Sequence, residues 1–191
     1  MAVWSGHLVI VKQLLEAGAD VESKSKSSWT LLLYTAEGGY LAVANQLLKA
    51  GVDVELKDRN DWTPLLYATQ GGHIAVVKQL LEAGAEVESK DTPWGQTPLS
   101  YAAVKGNEAT VKQLLEAGAE VNSKDTQWGR TPLSYAAKEG HEGVVKQLLE
   151  AGAEVESKDT PWGQTPLSYA TQGGHEAVVQ LLQSTTGLSI I

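Results

Sequence analysis

Apolar residues recur along this chain in short clusters with helical spacing, and the clusters themselves repeat. In 108–117, Val111, Leu114 and Leu115 stand at i, i+3 and i+4, the spacing of one helix face. Gly118 follows directly, where a left-handed C-cap calls for glycine. Upstream, Thr97-Pro98 reads as a helix start, with Thr as N-cap and Pro in the first helical position. The pattern therefore predicts a short first helix over 99–104, small on one side at Ala102 and Ala103. Gly106-Asn107 breaks it, and a second helix runs from 108. Residues 119–124 then lead through a short extended, hairpin-like loop into the next turn.

This block is one copy of several. Val-Lys-Gln-Leu-Leu-Glu-Ala-Gly-Ala-Glu-Val occurs at 77–87, 111–121 and 145–155, a shift of 34 residues, with a near copy from Val11. Thr-Pro-Leu recurs at Thr63, Thr97, Thr131 and Thr165, and Thr30-Leu31-Leu32 stands in the same place one unit earlier. The units are 1–24 (partial, N-terminal cap), 25–57, 58–90, 91–124, 125–158 and 159–191 (C-terminal cap), read together as a single domain over 1–191. The last unit loses one residue of its second helix and diverges after Leu182. Two short helices cannot enclose a core, so the units must stack to bury their apolar faces. Tyr34, Tyr67, Tyr101, Tyr135 and Tyr169 share one position on the first helices and are expected to form an inter-repeat packing column. The fold class is all-α, a solenoid of helix-turn-helix units joined by β-hairpin-like loops.

The Thr-Pro-Leu-Ser-Tyr-Ala-Ala stretch, the Gly-His before the second helix and the Leu-Leu-x-x-Gly-Ala-x-Val ending together resemble the ankyrin repeat, with its period near 33 and its Thr-Pro-Leu-His-x-Ala signature. Ser100, Ser134 and Ser168 stand where that signature has His, and Leu33 and Leu66 do so in earlier units. The Thr-Pro-Leu-Ser form is most similar to fungal ankyrin arrays. Near-identity of adjacent units also suits an engineered array, whereas Leu31 for Pro and Tyr40 for His suit a natural one. The resemblance implies non-catalytic protein–protein recognition. The alternatives are a recognition or sensor segment of a larger natural ankyrin protein, and a structural spacer.

Composition narrows the chemistry. With 15 Lys plus Arg against 23 Asp plus Glu, the net charge is −8, which opposes nucleic acid and anionic membranes as partners. There are no cysteines, so disulfides and thiolate chemistry are excluded. No apolar run approaches the length of a membrane span, and the first residues do not read as a signal peptide. A cytoplasmic monomer with a protein partner is the expectation. The four histidines, His7, His73, His141 and His175, share one position before the second helix. Neighbouring helices lie about 8–10 Å apart, too far for equivalent residues to share one metal ion. Their expected role is to satisfy a loop or helix-end backbone group. Lys12, Lys78, Lys112 and Lys146, each followed by Glu at i+4, read as a solvated face. An enzyme needs a singular constellation and the repeats supply none, so no catalytic residue, metal site or cofactor is assigned.

If copied positions build the scaffold, the varying ones are free for recognition. In ankyrin-like stacks the binding surface is the concave side, formed by hairpin tips and the exposed face of the first helix. Carried over position by position, this gives Trp29, Arg59, Asn60, Trp62, Gln70, Trp94, Gln96, Val104, Lys105, Trp128, Arg130, Lys138, Glu139, Trp162 and Gln164 as partner-binding candidates. Trp29 and Trp62 directly precede the Thr of their units, whereas Trp94, Trp128 and Trp162 lie two residues further upstream, in the 34-residue units. The tryptophans read either as a row of contact anchors or as braces for their own turns. Asn122 stands where other units have Glu, in a stretch that resembles ankyrin sites modified by asparaginyl hydroxylation.

Overall fold

The computed structural model describes residues 8–160 and 162–187. The expectation for His7 falls outside that range. Contacts divide the chain into two compact units, 1–92 and 93–191. In the first, α1 (Leu8–Glu16), α3 (Leu41–Lys49) and α5 (Ile74–Glu82) form one layer, and α2 (Leu31–Glu37) and α4 (Pro64–Gln70) the other. In the second, α6 (Pro98–Lys105), α8 (Pro132–Glu139) and α10 (Pro166–Gly173) form one layer, and α7 (Glu108–Glu116), α9 (Glu142–Glu150) and α11 (Glu176–Thr186) the other. Among the described residues there is no β-strand. The loops follow a hairpin course but close on single backbone bonds, such as Asp125 N–H to Arg130 O at 3.0 Å and Asp159 N–H to Gln164 O at 3.0 Å. A paired extended ladder does not form.

Each first helix starts as the sequence requires. Thr30, Thr63, Thr97, Thr131 and Thr165 are extended, and each hydroxyl accepts the N–H three residues on. This satisfies one of the orphan donors at a helix start. The cores are leucine layers flanked by alanines: Leu33, Leu47, Leu66 and Leu80 with Ala36, Ala44 and Ala68 in the first unit, Leu99, Leu114, Leu133 and Leu148 with Ala102, Ala103, Ala136 and Ala137 in the second, all fully buried. Alanine on facing helices lets the axes approach while leucine fills the space between layers.

The histidines join one repeat to the next. The Nε2 atoms of His141 and His175 lie 3.0 and 2.9 Å from the carbonyl oxygens of Val104 and Lys138, at the end of the preceding first helix. His73 makes the same bond to Glu37 O at 2.8 Å. The ring lies over a glycine: a Cβ built on Gly106 would come within 2.6 Å of the His141 ring, and Gly106 has φ +67°. Both the backbone and the ring therefore require glycine there. Asn107 replaces the imidazole with a different device, an N-cap to Thr110 N–H at 3.2 Å. The last second helix loses a residue yet runs longest, because no glycine interrupts it before Gly187. Lys12, Lys78 and Lys112 pair with the glutamate four residues on, while Lys146 turns back to Glu142. These pairs are exposed and contribute little to stability.

Leu31 occupies the position that Pro64 holds in the next repeat. Thr30 has φ −91° and ψ 168°, close to the −87° and 163° of Thr63, which does precede proline. The backbone before residue 31 is thus already in the range that proline imposes. Leu31→Pro is expected to stabilise the chain by about 0.4–1 kcal/mol through the unfolded state, measured as a shift of the urea midpoint at constant slope. A lower midpoint would show that the Leu31 side chain contributes more than its entropy costs.

Candidate protein-recognition surface

Three tips are each built on one buried or half-buried aspartate, Asp58, Asp125 or Asp159, whereas Ser25 takes that place in the tip before them, its hydroxyl accepting Trp29 N–H at 3.1 Å. Asp125 Oδ1 accepts Trp128 N–H at 2.5 Å, and its Oδ2 accepts Arg130 N–H at 3.2 Å and the Tyr135 hydroxyl at 2.8 Å. Asp159 repeats this with Gln164 N–H at 2.6 Å and the Tyr169 hydroxyl at 2.5 Å, and Asp58 with Asn60 N–H, Trp62 N–H and Tyr67. One carboxylate so fixes both the turn and the first helix that follows. Burial, then the bond to the neighbouring aspartate, pushes the phenols of Tyr67, Tyr135 and Tyr169 above their ordinary range. They serve as neutral donors. These aspartates were not among the framework residues expected from the sequence. The signal was present in a constant Asp-to-Tyr spacing, nine residues in the shorter repeat and ten in the longer.

A left-handed residue divides every tip. It is Gly95, Gly129 and Gly163 in the longer repeats, and Ser28 and Asp61 in the shorter. The residue just after it points inward to the tyrosine layer. Trp29 lies 4.8 Å from Tyr34 and 4.6 Å from Tyr67, and Trp62 lies 4.8 Å from Tyr67, centroid to centroid. In the longer repeats that inner place holds Gln96, Arg130 and Gln164. Gln96 Nε2 donates to the Tyr135 hydroxyl at 2.7 Å and Arg130 Nε to the Tyr169 hydroxyl at 2.9 Å. The residue just before the left-handed one lies outside, and there the longer repeats carry their tryptophan. Trp94 and Trp162 are exposed at 43% and 60%, whereas Trp62 is 8% exposed.

The partner-binding candidates therefore separate. Lys105, Lys138, Glu139 and Gln70 are exposed at the ends of first helices, with Val104 half-buried beside them. Trp94, Trp162 and Asn60 are exposed at tips, and Trp128 is half-buried. Arg59 is exposed but holds the preceding tip through Lys26 O at 2.6 Å and Ser28 Oγ at 3.3 Å. Trp29, Trp62, Gln96 and Arg130 reach into the tyrosine layer, and Gln164 is half-buried with its N–H on Asp159. Arg130 is the most committed: its guanidinium lies 5.3 Å from the Trp128 ring and 5.0 Å from that of Tyr169, and Nε is 4.0 Å from the Asp159 carboxylate. Sequence variation alone did not distinguish a side chain that varies because it is free from one that varies because the next repeat accepts two solutions.

Comparison with protein families matches ankyrin repeats (3 copies) over residues 1–91, 83–159 and 125–190. The chain belongs to the ankyrin repeat family. Repeats of this family are in general protein–protein interaction modules and are typically not enzymes. Comparison with curated proteins gives no match. Among the described residues no helix is long and apolar enough to cross a membrane, and no group of His, Asp and Glu is placed to hold a metal ion.

Two expectations test this assignment of roles. Arg130→Ala removes a charged donor from a side chain only 14% exposed and leaves the fully buried Asp159 side chain without it. It is expected to cost about 2 kcal/mol, whereas Lys105→Ala stays within about 0.5 kcal/mol, both by chemical denaturation. At the base of the loops, Glu55 accepts Glu86 N–H at 2.9 Å. Burial, aided by the Glu86 and Asp53 charges, raises its pKa above the ordinary 4.5, against the Glu86 N–H and Lys57. The folded state thus holds the Glu55 proton more tightly than the unfolded one, and stability falls as pH rises from 4.5 through the raised value. Glu55→Gln keeps the acceptor and is expected to flatten that part of the stability–pH curve, with no loss at neutral pH.

Proposed function

We propose that this chain is a non-catalytic recognition scaffold that seats a protein partner on its concave side, against the tips and the ends of the first helices. The observation that carries this reading is the division of labour at those ends. The backbone of Val104 and Lys138 is fixed by the imidazoles of His141 and His175, while Lys105, Lys138 and Glu139 present their side chains to solvent. Rigid positioning of exposed side chains lowers the ordering cost of association. Trp94 and Trp162 extend the exposed set within the second unit, and Asn60 and Gln70 are exposed in the first. The cytoplasm is the compartment that goes with this reading, and a monomer the form.

Affinity capture with the full chain as bait tests the face. Ala at Lys105, Lys138, Glu139 and Gln70 together is expected to leave the melting temperature nearly unchanged and to abolish capture of at least one specific partner. Ala at Lys78, Lys112 and Lys146, on the second helices, is expected to change neither. Loss of capture from the second-helix set with the first-helix set silent would place recognition on the opposite face.

A further inference from the structure

The tip of the repeat 25–57 departs from the later ones at one position. Ser25 stands nine residues before Tyr34, as Asp58 stands nine before Tyr67. The backbones match. Ser25 N–H reaches Trp29 O at 2.9 Å where Asp58 N–H reaches Trp62 O at 3.2 Å, and Ser28 has φ +64° where Asp61 has +58°. The two side chains therefore leave the turn from equivalent points. The Asp58 carboxylate accepts Asn60 N–H, Trp62 N–H and the Tyr67 hydroxyl. Ser25 offers a single hydroxyl oxygen, which accepts Trp29 N–H at 3.1 Å, and it brings no charge.

The surroundings of Ser25 suit an anion larger than a carboxylate. An open cavity of about 450 Å³ is bordered by Ser25, Lys24, Asp20, Trp29 and Tyr34. Lys24 and Lys26 flank Ser25, and Arg59 lies on the same tip, bonded to Lys26 O at 2.6 Å and Ser28 Oγ at 3.3 Å. These cations stand against the Asp20 carboxylate, while that of Glu22 is turned to Asp53 N–H at 2.8 Å. Residues 22–27 are all exposed, so the Ser25 hydroxyl is open to an enzyme, whereas Asp125 and Asp159 are only 4% exposed. A phosphoryl group on that hydroxyl carries a charge of about −1.5 to −2 and three acceptor oxygens. Its oxygens lie one bond further out than those of an aspartate, and the cavity has room for the extra length.

We infer that Ser25 is a phosphorylation site, and that its phosphate takes the part of the tip aspartate, accepting Ser27 N–H, Trp29 N–H and the Tyr34 hydroxyl. In the transfer, Ser25 Oγ attacks the γ-phosphorus of a nucleoside triphosphate held by a protein kinase. The Oγ–P bond forms, the bond from that phosphorus to the β–γ bridging oxygen breaks, and the nucleoside diphosphate leaves. The hydroxyl proton passes to the catalytic base of the kinase. Hydrogen bonds to a charged acceptor are stronger than those to a neutral hydroxyl, so the modification firms the tip and its hold on α2. Ser23, Ser27 and Ser28 do not occupy the aspartate's place. Ser23 Oγ donates to Asp20 O at 2.8 Å, and Ser28 Oγ accepts from Arg59. This inference does not depend on the recognition reading above, since its readouts need no partner.

Two measurements on the full chain test the inference. Incubation with ATP and a eukaryotic cell extract, followed by peptide mass spectrometry, is expected to place phosphate on Ser25. Phosphoserine installed at position 25 by amber suppression is expected to slow amide hydrogen exchange at Ser27 and Trp29 by about tenfold or more, and Ser25→Asp to slow it in the same direction. Tyr34→Phe should remove part of the slowing that the phosphate brings. Phosphate found only on Ser23, Ser27 or Ser28, or on none of these serines, overturns the inference. Unchanged or faster exchange at Ser27 and Trp29 in the chain carrying phosphoserine overturns it as well, as does full slowing retained in Tyr34→Phe.

Discussion

A pair of helices of seven to eleven residues has no interior, and every other feature of this chain follows from that constraint. Each pair must lend its neighbour a surface that the neighbour cannot make. Leu80, Leu114 and Leu148 are fully buried only because helices of two layers meet over them. Such burial has no direction, so it fixes neither the register of one repeat on the next nor the course of the loops. Directional bonds supply both. The imidazole-to-carbonyl bonds set the register of one repeat on the next, and the aspartate–tyrosine bonds, each within one repeat, tie its loop to its first helix.

The second of these bonds also explains how tips can differ without disturbing the fold. Asp125 and Asp159 gather turn N–H groups and a tyrosine hydroxyl onto one carboxylate. A buried carboxylate with its lone pairs occupied is tolerated, and an unoccupied one is costly. Once that carboxylate is satisfied, the tyrosine hydroxyl accepts whatever the inner place of the preceding tip offers: an amide from Gln96 or a guanidinium from Arg130. Tryptophan at that place, as Trp29, meets the ring instead. Three chemically different side chains solve one packing problem, and where Gln or Arg does so the tryptophan stands at the outer place.

Much of this was legible in the sequence. The Thr caps, the proline starts, the left-handed glycines at the ends of second helices and the role of the histidines follow from local chemistry that acts within a few residues or recurs at a fixed spacing. The direction of the tryptophans did not follow. That depends on which side of a left-handed residue each one stands. Ser28 and Asp61 are not residues that declare a positive φ as glycine does, so the shorter and longer tips could not be aligned from residue type. Arg130 was read as a free contact residue for the same reason. Its partners Tyr169 and Asp159 belong to the next repeat and lie 39 and 29 residues on in the chain.

The Thr caps show how far such reasoning reaches once hydroxyls are counted. A buried threonine hydroxyl that accepts one N–H still has its own proton to place. In the second unit, Thr97, Thr131 and Thr165 each have a serine hydroxyl within 3.1–3.2 Å, from Ser100, Ser134 and Ser168. In the first unit Leu66 stands at that position, and Thr63 instead meets the buried Ser89 at 3.2 Å, a residue from its own loop further on. Where the family's signature has His, the choice between Ser and Leu thus decides which hydroxyl the threonine meets. At Leu66, Ser100 and Ser134 the position is buried, and at Ser168 it is half-buried. Exchange between Leu and Ser at this position therefore falls on the scaffold and not on the exposed ends of the first helices.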